Sequence, residues 1–182
     1  MAKKNFIMLE IAYIGLGSNL DNPLLQVKSA INELNACNDI TVEAVSNIYK
    51  SKPLKTNNTH EAEQADYINA VVRINTLLAP TELLDALQVI EKKHKRATEY
   101  RWGPRSLDLD ILLYSDLVLT SSRVTIPHRE LIKRDFVLYP LSDINPDMDI
   151  PMHGKLENIL LTVSKDNLVL VERYFDVTGI TL

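Results

Sequence analysis

Ser106-Leu107-Asp108-Leu109-Asp110-Ile111-Leu112-Leu113-Tyr114 is the stretch of this 182-residue chain that says most about its fold. Successive side chains of a strand point to opposite faces. Asp108 and Asp110 therefore share one face, while Leu107, Leu109, Ile111 and Leu113 line the other. Such a strand belongs to a sheet with one covered face and one open face. Two carboxylates this close repel, and each makes the other harder to ionise. A hard dication relieves that repulsion, and Mg2+ commonly takes one or two carboxylates together with substrate phosphates. An isolated Asp-x-Asp is also compatible with an ordinary edge strand whose acidic face is solvated.

The elements around this strand supply its place in a fold. Residues 10–17 read as a first strand, and Asn22-Pro23 opens a helix marked by Leu24, Val27, Ile31 and Leu34 at helical spacing. Residues 40–50 and 66–77 read as strands on either side of a polar loop, 54–65. Pro80 starts a second helix with Leu83, Leu84, Leu87 and Ile90 on its buried stripe. With the Asp-x-Asp strand last, the order is the split β-α-β of a ferredoxin-like α+β sandwich, an antiparallel sheet with helices packed on it. Ser115-Asp116 is expected to turn the chain into a strand at 117–126. Short helices over Arg129–Tyr139 and Leu156–Thr162 and a last strand at 168–175 follow. The chain is expected to be one domain, with a core over about 10–150 and an appendage over about 151–182.

At 46% hydrophobic and 24% charged residues, the composition is that of a soluble globular protein. Its start lacks a secretory core, no stretch has the length of a membrane span, and Cys37 alone can form no intrachain disulfide, all of which suits the cytoplasm. A net charge of −4 argues against general nucleic-acid binding. The charge is unevenly spread: residues 91–105 carry six Lys and Arg against two Glu, which leaves a net −8 on the rest. Lys92 to Arg96 complement the C-terminal end of a helix dipole. Arg101 and Arg105 lie beyond that helix and suggest a local anion site.

Three further constellations bear on chemistry. Gly15-Leu16-Gly17-Ser18-Asn19-Leu20 joins a strand to a helix, but Leu20 stands where a dinucleotide fingerprint needs its third glycine. The glycines are then a tight turn or a place where backbone meets ligand. Tyr67 and Asn69 share a strand face, a ring for stacking beside an amide for edge hydrogen bonds, or simply a cross-strand aromatic beside a surface amide. His128 and Arg134 follow the 117–126 strand and offer donors to phosphate, or else a helix cap and a solvated cation. His60, His94 and His153 lack ligand spacing, so zinc is not expected.

Taken together, Gly17-Ser18-Asn19-Leu20, Asp66-Tyr67-Ile68-Asn69-Ala70, Ile90-Glu91, Arg101-Trp102-Gly103-Pro104-Arg105-Ser106-Leu107-Asp108-Leu109-Asp110, and Pro127-His128 followed by Arg134–Leu141 resemble the 6-hydroxymethyl-7,8-dihydropterin pyrophosphokinase family of folate biosynthesis. The resemblance spreads over residues 12–150 and implies the ferredoxin-like fold. It implies transfer of pyrophosphate from ATP to the hydroxymethyl group of the pterin, with release of AMP. By position, Asp108 and Asp110 would bind two Mg2+ ions and act with Arg101 and Arg105 in catalysis. ATP would be held by Gln88, Glu91, Arg101, Trp102, Arg105, His128 and Arg134. Tyr67, Asn69 and Phe136 would hold the pterin. The expected partners are these small molecules, with neither nucleic acid nor membrane, and the chain is expected to act as a monomer. The chain departs from the family at His94-Lys95-Arg96-Ala97, where a Gly-Arg-x-Arg pattern is usual.

Overall fold

The computed structural model of the chain describes residues 9–53, 65–94 and 106–174. Strand β1 (Glu10–Ser18) leads into helix α1 (Pro23–Asn35), then β2 (Ile40–Val45), β3 (Ile48–Ser51), β4 (Tyr67–Thr76), α2 (Pro80–Lys93) and β5 (Asp108–Tyr114). The main sheet runs β10-β3-β4-β1-β5, with β2 also on β4 and β10 spanning Leu168–Glu172. All of its pairings are antiparallel. This is the ferredoxin-like α+β arrangement, with one extra strand contributed by the C-terminal region.

The expected strand over 40–50 is split. Both halves pair with β4, and the break falls at Ser46. Its N–H donates to Val71 C=O and its Oγ accepts from Val71 N–H, each at 2.9 Å, so a side chain replaces one ladder bond. The expected strand over 117–126 is two short pieces, β6 (Leu119–Thr120) and β7 (Thr125–Ile126), paired with each other and not with the main sheet. The expected helix from Arg129 to Tyr139 is a 3-10 turn, Leu131–Lys133, followed by α3 (Asp135–Ile144). Strands β8 (Asp149–Ile150) and β9 (Gly154–Lys155) form a second small hairpin before α4 (Leu156–Leu160).

Helix α1 starts from two consecutive left-handed residues, Asp21 (φ 53°) and Asn22 (φ 63°), residue types that tolerate this region best. Pro23 at the first position needs no N–H partner. Helices α1 and α2 cover one face of the sheet, burying Val27, Ala30, Ile31, Leu34, Leu83, Leu87 and Ile90 against Ala12, Ile14, Leu16, Val72 and Ile74. A second cluster occupies part of the opposite face, where Val137, Leu138 and Leu141 of α3 meet Tyr13, Val71, Leu112 and Leu113.

Helix α3 crosses that opposite face obliquely. At its start, Arg134 reaches Asp110 on β5; near its end, Asp143 accepts from the hydroxyl of Tyr49 on β3 at 2.9 Å and from Asn47 N–H at 3.2 Å. Tyr49 is buried, and both its burial and the neighbouring Asp143 charge raise its phenol above the ordinary value. A buried hydrogen bond to a charged group contributes roughly 1.5–3 kcal/mol. Tyr49→Phe is therefore expected to lower unfolding stability by about 1.5–3 kcal/mol in urea titrations, with the m-value unchanged. A loss below about 0.5 kcal/mol would show that this bond does not fasten α3 to the sheet.

Candidate active site

The part of this face that α3 does not cover is built on β1. In its pairings, Gly17 stands opposite Asn69 of β4 on one side and Asp108 of β5 on the other. One rung deeper, Gly15 stands between Val71 and Asp110. Paired residues in an antiparallel sheet project to the same side. The face therefore carries an amide and two carboxylates on either side of a stripe with no side chains. A Cβ on Gly17 would sit 3.6 Å from Asn69 Oδ1, and one on Gly15 would meet Leu112 at 3.3 Å. The two glycines are thus the floor of a shallow cleft rather than a dinucleotide loop. Their signal in the sequence was their own spacing: glycine at alternate positions of a strand clears one face for close approach.

The polar edge of the cleft is held firmly. Asn69 is 4% exposed, and its Nδ2 donates to Ser51 Oγ at 2.9 Å. Tyr67 is half-buried one alternation further out on the same face. Phe136 lies in the first turn of α3, partly buried against the second core cluster, with the Arg134 guanidinium 5.8 Å from its ring centre.

The acidic edge meets cations. Asp110 Oδ2 lies 3.7 Å from Arg134 Nη1 and 3.9 Å from His128 Nε2. His128 Nδ1 accepts from Glu130 N–H at 3.2 Å, which assigns the proton of the neutral ring to Nε2, the nitrogen facing Asp110. Burial, reinforced by the Arg134 charge, pushes the imidazole down to about 4. At neutral pH His128 is thus a neutral N–H donor, and Arg134 supplies the positive charge. Asp108 and Asp110 are both partly exposed. Among the described residues no group of three or more His, Cys, Asp or Glu could hold a metal ion. The donor set is two hard carboxylate oxygen groups on one face, which fits a magnesium ion that completes its shell from phosphate and water.

Of the other expected residues, Gln88 is half-buried on α2, and Glu91 is 3% exposed with Oε1 accepting from Leu109 N–H at 2.9 Å. Arg101, Trp102 and Arg105 lie outside the described residues, as do Lys95 and Arg96. Residues given no chemical role in the sequence also converge here. Ser18 Oγ donates to Ser106 C=O at 2.5 Å, Ser106 Oγ donates to Asp21 Oδ2 at 3.0 Å, and Asn19 Nδ2 donates to Ala65 C=O at 3.3 Å. A separate cavity of about 530 Å3 between α1 and α2 is lined by Asp21, Gln26, Ser29, Glu33, Lys93 and His94. There His94 contacts Gln26 and lies 2.6 Å from Glu33.

A cleft of this kind, bare in the middle and charged along one edge, on a ferredoxin-like sheet, defines an enzyme of the α+β class. The sequence model of 7,8-dihydro-6-hydroxymethylpterin-pyrophosphokinase (HPPK) matches residues 13–146, and the chain belongs to that family of pyrophosphokinases. It is 41% identical over 153 residues to the 2-amino-4-hydroxy-6-hydroxymethyldihydropteridine pyrophosphokinase of Pseudomonas aeruginosa, covering 84% of this chain and 91% of the relative. The protein of the same name from Haemophilus influenzae is 44% identical over 140 residues, 77% of this chain and 84% of the relative. Among solved structures, a Plasmodium falciparum HPPK-DHPS superposes with a TM-score of 0.69 at 13% identity, over 92% of this chain and 50% of that one. That likeness bears on the fold alone, and the chain spans half the length of that solved structure.

Because the folded imidazole of His128 titrates near 4 and a free one near 6.5, the unfolded chain takes up its proton first as pH falls. The stability contributed by the neutral, buried ring is complete above about pH 6.5 and is lost as pH drops towards 4, by up to ~3 kcal/mol. In chelator, the unfolding free energy of the wild type should fall relative to His128→Asn across that window. Parallel profiles for the two proteins would contradict a neutral buried His128.

Proposed function

We propose that this cleft transfers the β,γ-pyrophosphoryl group of ATP to the hydroxymethyl oxygen of 6-hydroxymethyl-7,8-dihydropterin, a step of folate biosynthesis in the cytoplasm. The observation that carries the reading is the rung Asn69–Gly17–Asp108, an amide and a carboxylate on either side of bare backbone, which suits an amide that reads a heterocycle and a carboxylate on the phosphate side. The names of the P. aeruginosa and H. influenzae relatives support the same substrate.

The hydroxymethyl oxygen loses its proton to water and attacks the β-phosphorus, the bond from that phosphorus to the α,β-bridging oxygen breaks, and AMP leaves with the electron pair. Two Mg2+ ions held by Asp108 and Asp110 would neutralise charge on the polyphosphate and lower the cost of ionising the alcohol. Arg134 offers a fixed cation beside Asp110, and His128 an uncharged N–H donor, both suited to phosphate oxygens. Arg101 and Arg105 would add charge to the leaving side, and Trp102 and Gln88 would meet the nucleotide. Tyr67 and Phe136 would enclose the flat pterin while Asn69 reads its polar edge. No described side chain is placed as a general base, so positioning and electrostatics are left to supply the acceleration.

Product analysis tests the reaction directly. AMP and a pyrophosphorylated pterin should appear in equal amounts, whereas free pyrophosphate would point to nucleotidyl transfer and overturn the reading. Asp110→Ala should cut turnover by orders of magnitude with the circular-dichroism spectrum unchanged, because it removes a partly exposed carboxylate and no core. Phe136→Ala should weaken pterin binding by about 1–3 kcal/mol in calorimetry, the range expected for losing a stacked ring. Unchanged pterin affinity would remove Phe136 from the site.

A further inference from the structure

We infer that Glu91 is a positioning residue for the acidic pair, holding Asp108 and Asp110 in place through the backbone between them. The inference rests on the metal reading of those carboxylates given above. Strand β5 is at the edge of the sheet, paired only with β1 among the described residues. An edge strand leaves alternate N–H and C=O groups facing outward, and a buried one without a partner costs about 1–3 kcal/mol. At Leu109 the outward N–H donates to Glu91 Oε1 at 2.9 Å, and at Leu112 the outward C=O accepts from His128 N–H at 2.9 Å. Leu109 is the residue between the two carboxylates. Its side chain is buried under α1 and α2, so its amide is the group through which the strand can be held from the side.

Glu91 is suited to that task by its location. It sits in the last turn of α2, is 3% exposed, and follows Ile90, whose buried side chain belongs to the core under the same sheet face. Its Oε1 gives the outward Leu109 N–H the acceptor that a neighbouring strand would supply in the interior of a sheet. From the other end, Ser18 Oγ donates to Ser106 C=O at 2.5 Å, fixing the strand two residues before Asp108. The acidic pair is thus held between the end of α2 and the end of β1. Preorganisation to within about 0.5 Å is what metal and phosphate sites require, and a misplacement near 1 Å can cost a hundredfold in rate.

This role predicts a pattern that a nucleotide contact would not give. Glu91→Gln keeps an oxygen that can accept from Leu109, while Glu91→Ala removes it. In Glu91→Ala, amide exchange at Leu109 followed by NMR on the substrate-free protein should speed at least tenfold, and kcat should fall about 10- to 100-fold with KM for ATP and pterin within threefold of wild type. In Glu91→Gln both exchange and kcat should stay within about threefold of wild type. A Glu91→Gln variant as impaired as Glu91→Ala would make the charge, not the acceptor, the important property and would overturn the inference. So would a raised KM for ATP with unchanged kcat, or unchanged exchange at Leu109. Asp110→Ala in the same assays separates the two readings: if it keeps wild-type turnover, the metal assignment falls whatever Glu91 does. If it loses turnover and Glu91→Ala does not, only the positioning role falls.

Discussion

The antiparallel register of β1 against its two neighbours fixes everything the cleft can do. A slip of one residue would send Asp108 and Asp110 under α1 and α2, where an ionised carboxylate costs several kcal/mol even after relaxation. If β1 turned over instead of β5, the slip would bring Leu16 out onto the floor that Gly15 and Gly17 keep clear. Ala12, Ile14 and Leu16 are each buried to 3% exposure or less, so the alternate residues of β1 lock the register by their own burial. The hydrophobic core and the geometry of the cleft are two faces of one constraint.

The opposite face is divided between packing and chemistry by a break in β5. The register with β1 shifts between Tyr13 and Ile14, where Leu112 and Leu113 take up an extra residue and both enter the second core cluster. Bulges of this kind increase twist and end regular pairing. Here the bulge marks where α3 begins to cover the sheet, leaving Asp108 and Asp110 beyond its edge. The start of α3 then brings Arg134 beside Asp110 while its far end is tied to Tyr49. His128 is held neutral by burial, so it adds no second positive charge next to Arg134. That division leaves Arg134 as the fixed positive charge beside Asp110 at this edge of the cleft.

The acid pair was legible in the sequence because strand alternation is local and the bulge falls after Asp110, whereas Leu113, expected on the covered face, lies beyond the bulge and joins the opposite cluster. The pairing of Tyr67 with Asn69 on one face was readable for the same reason, and the element order gave the ferredoxin-like sheet. What depended on distant contacts was not readable. The single strand expected over 40–50 breaks at Ser46 because its hydroxyl can replace a ladder bond to Val71, a partner 25 residues away. The helix expected from Arg129 starts later because Leu131–Lys133 takes a tighter turn before Asp135. Gly15 and Gly17 looked like a turn or a ligand loop because their neighbours on β4 and β5 cannot be inferred from β1 alone. Glu91, which the family resemblance sets near the nucleotide, also accepts from the backbone N–H of Leu109, 18 residues away, a contact that sequence alone does not reveal.

The turn between β1 and α1 explains why so much of the family resemblance lies in residues that carry no reactive group. Ser18 holds Ser106, Asp21 accepts from the Ser106 hydroxyl, and Asn19 holds Ala65. Ala65 stands two residues before Tyr67, and Ser106 two residues before Asp108. One short turn therefore sets the starting points of both the strand that carries Tyr67 and Asn69 and the strand that carries the acids. The left-handed Asp21 and Asn22 place the turn where both can be reached, which few residue types could do without strain. A substitution in this turn would move the amide edge and the acidic edge of the cleft together, whereas a change at Glu91 would move the acidic edge alone. The bare floor between them, Gly15 and Gly17, can keep a constant width only because both edges are referenced to the same strand.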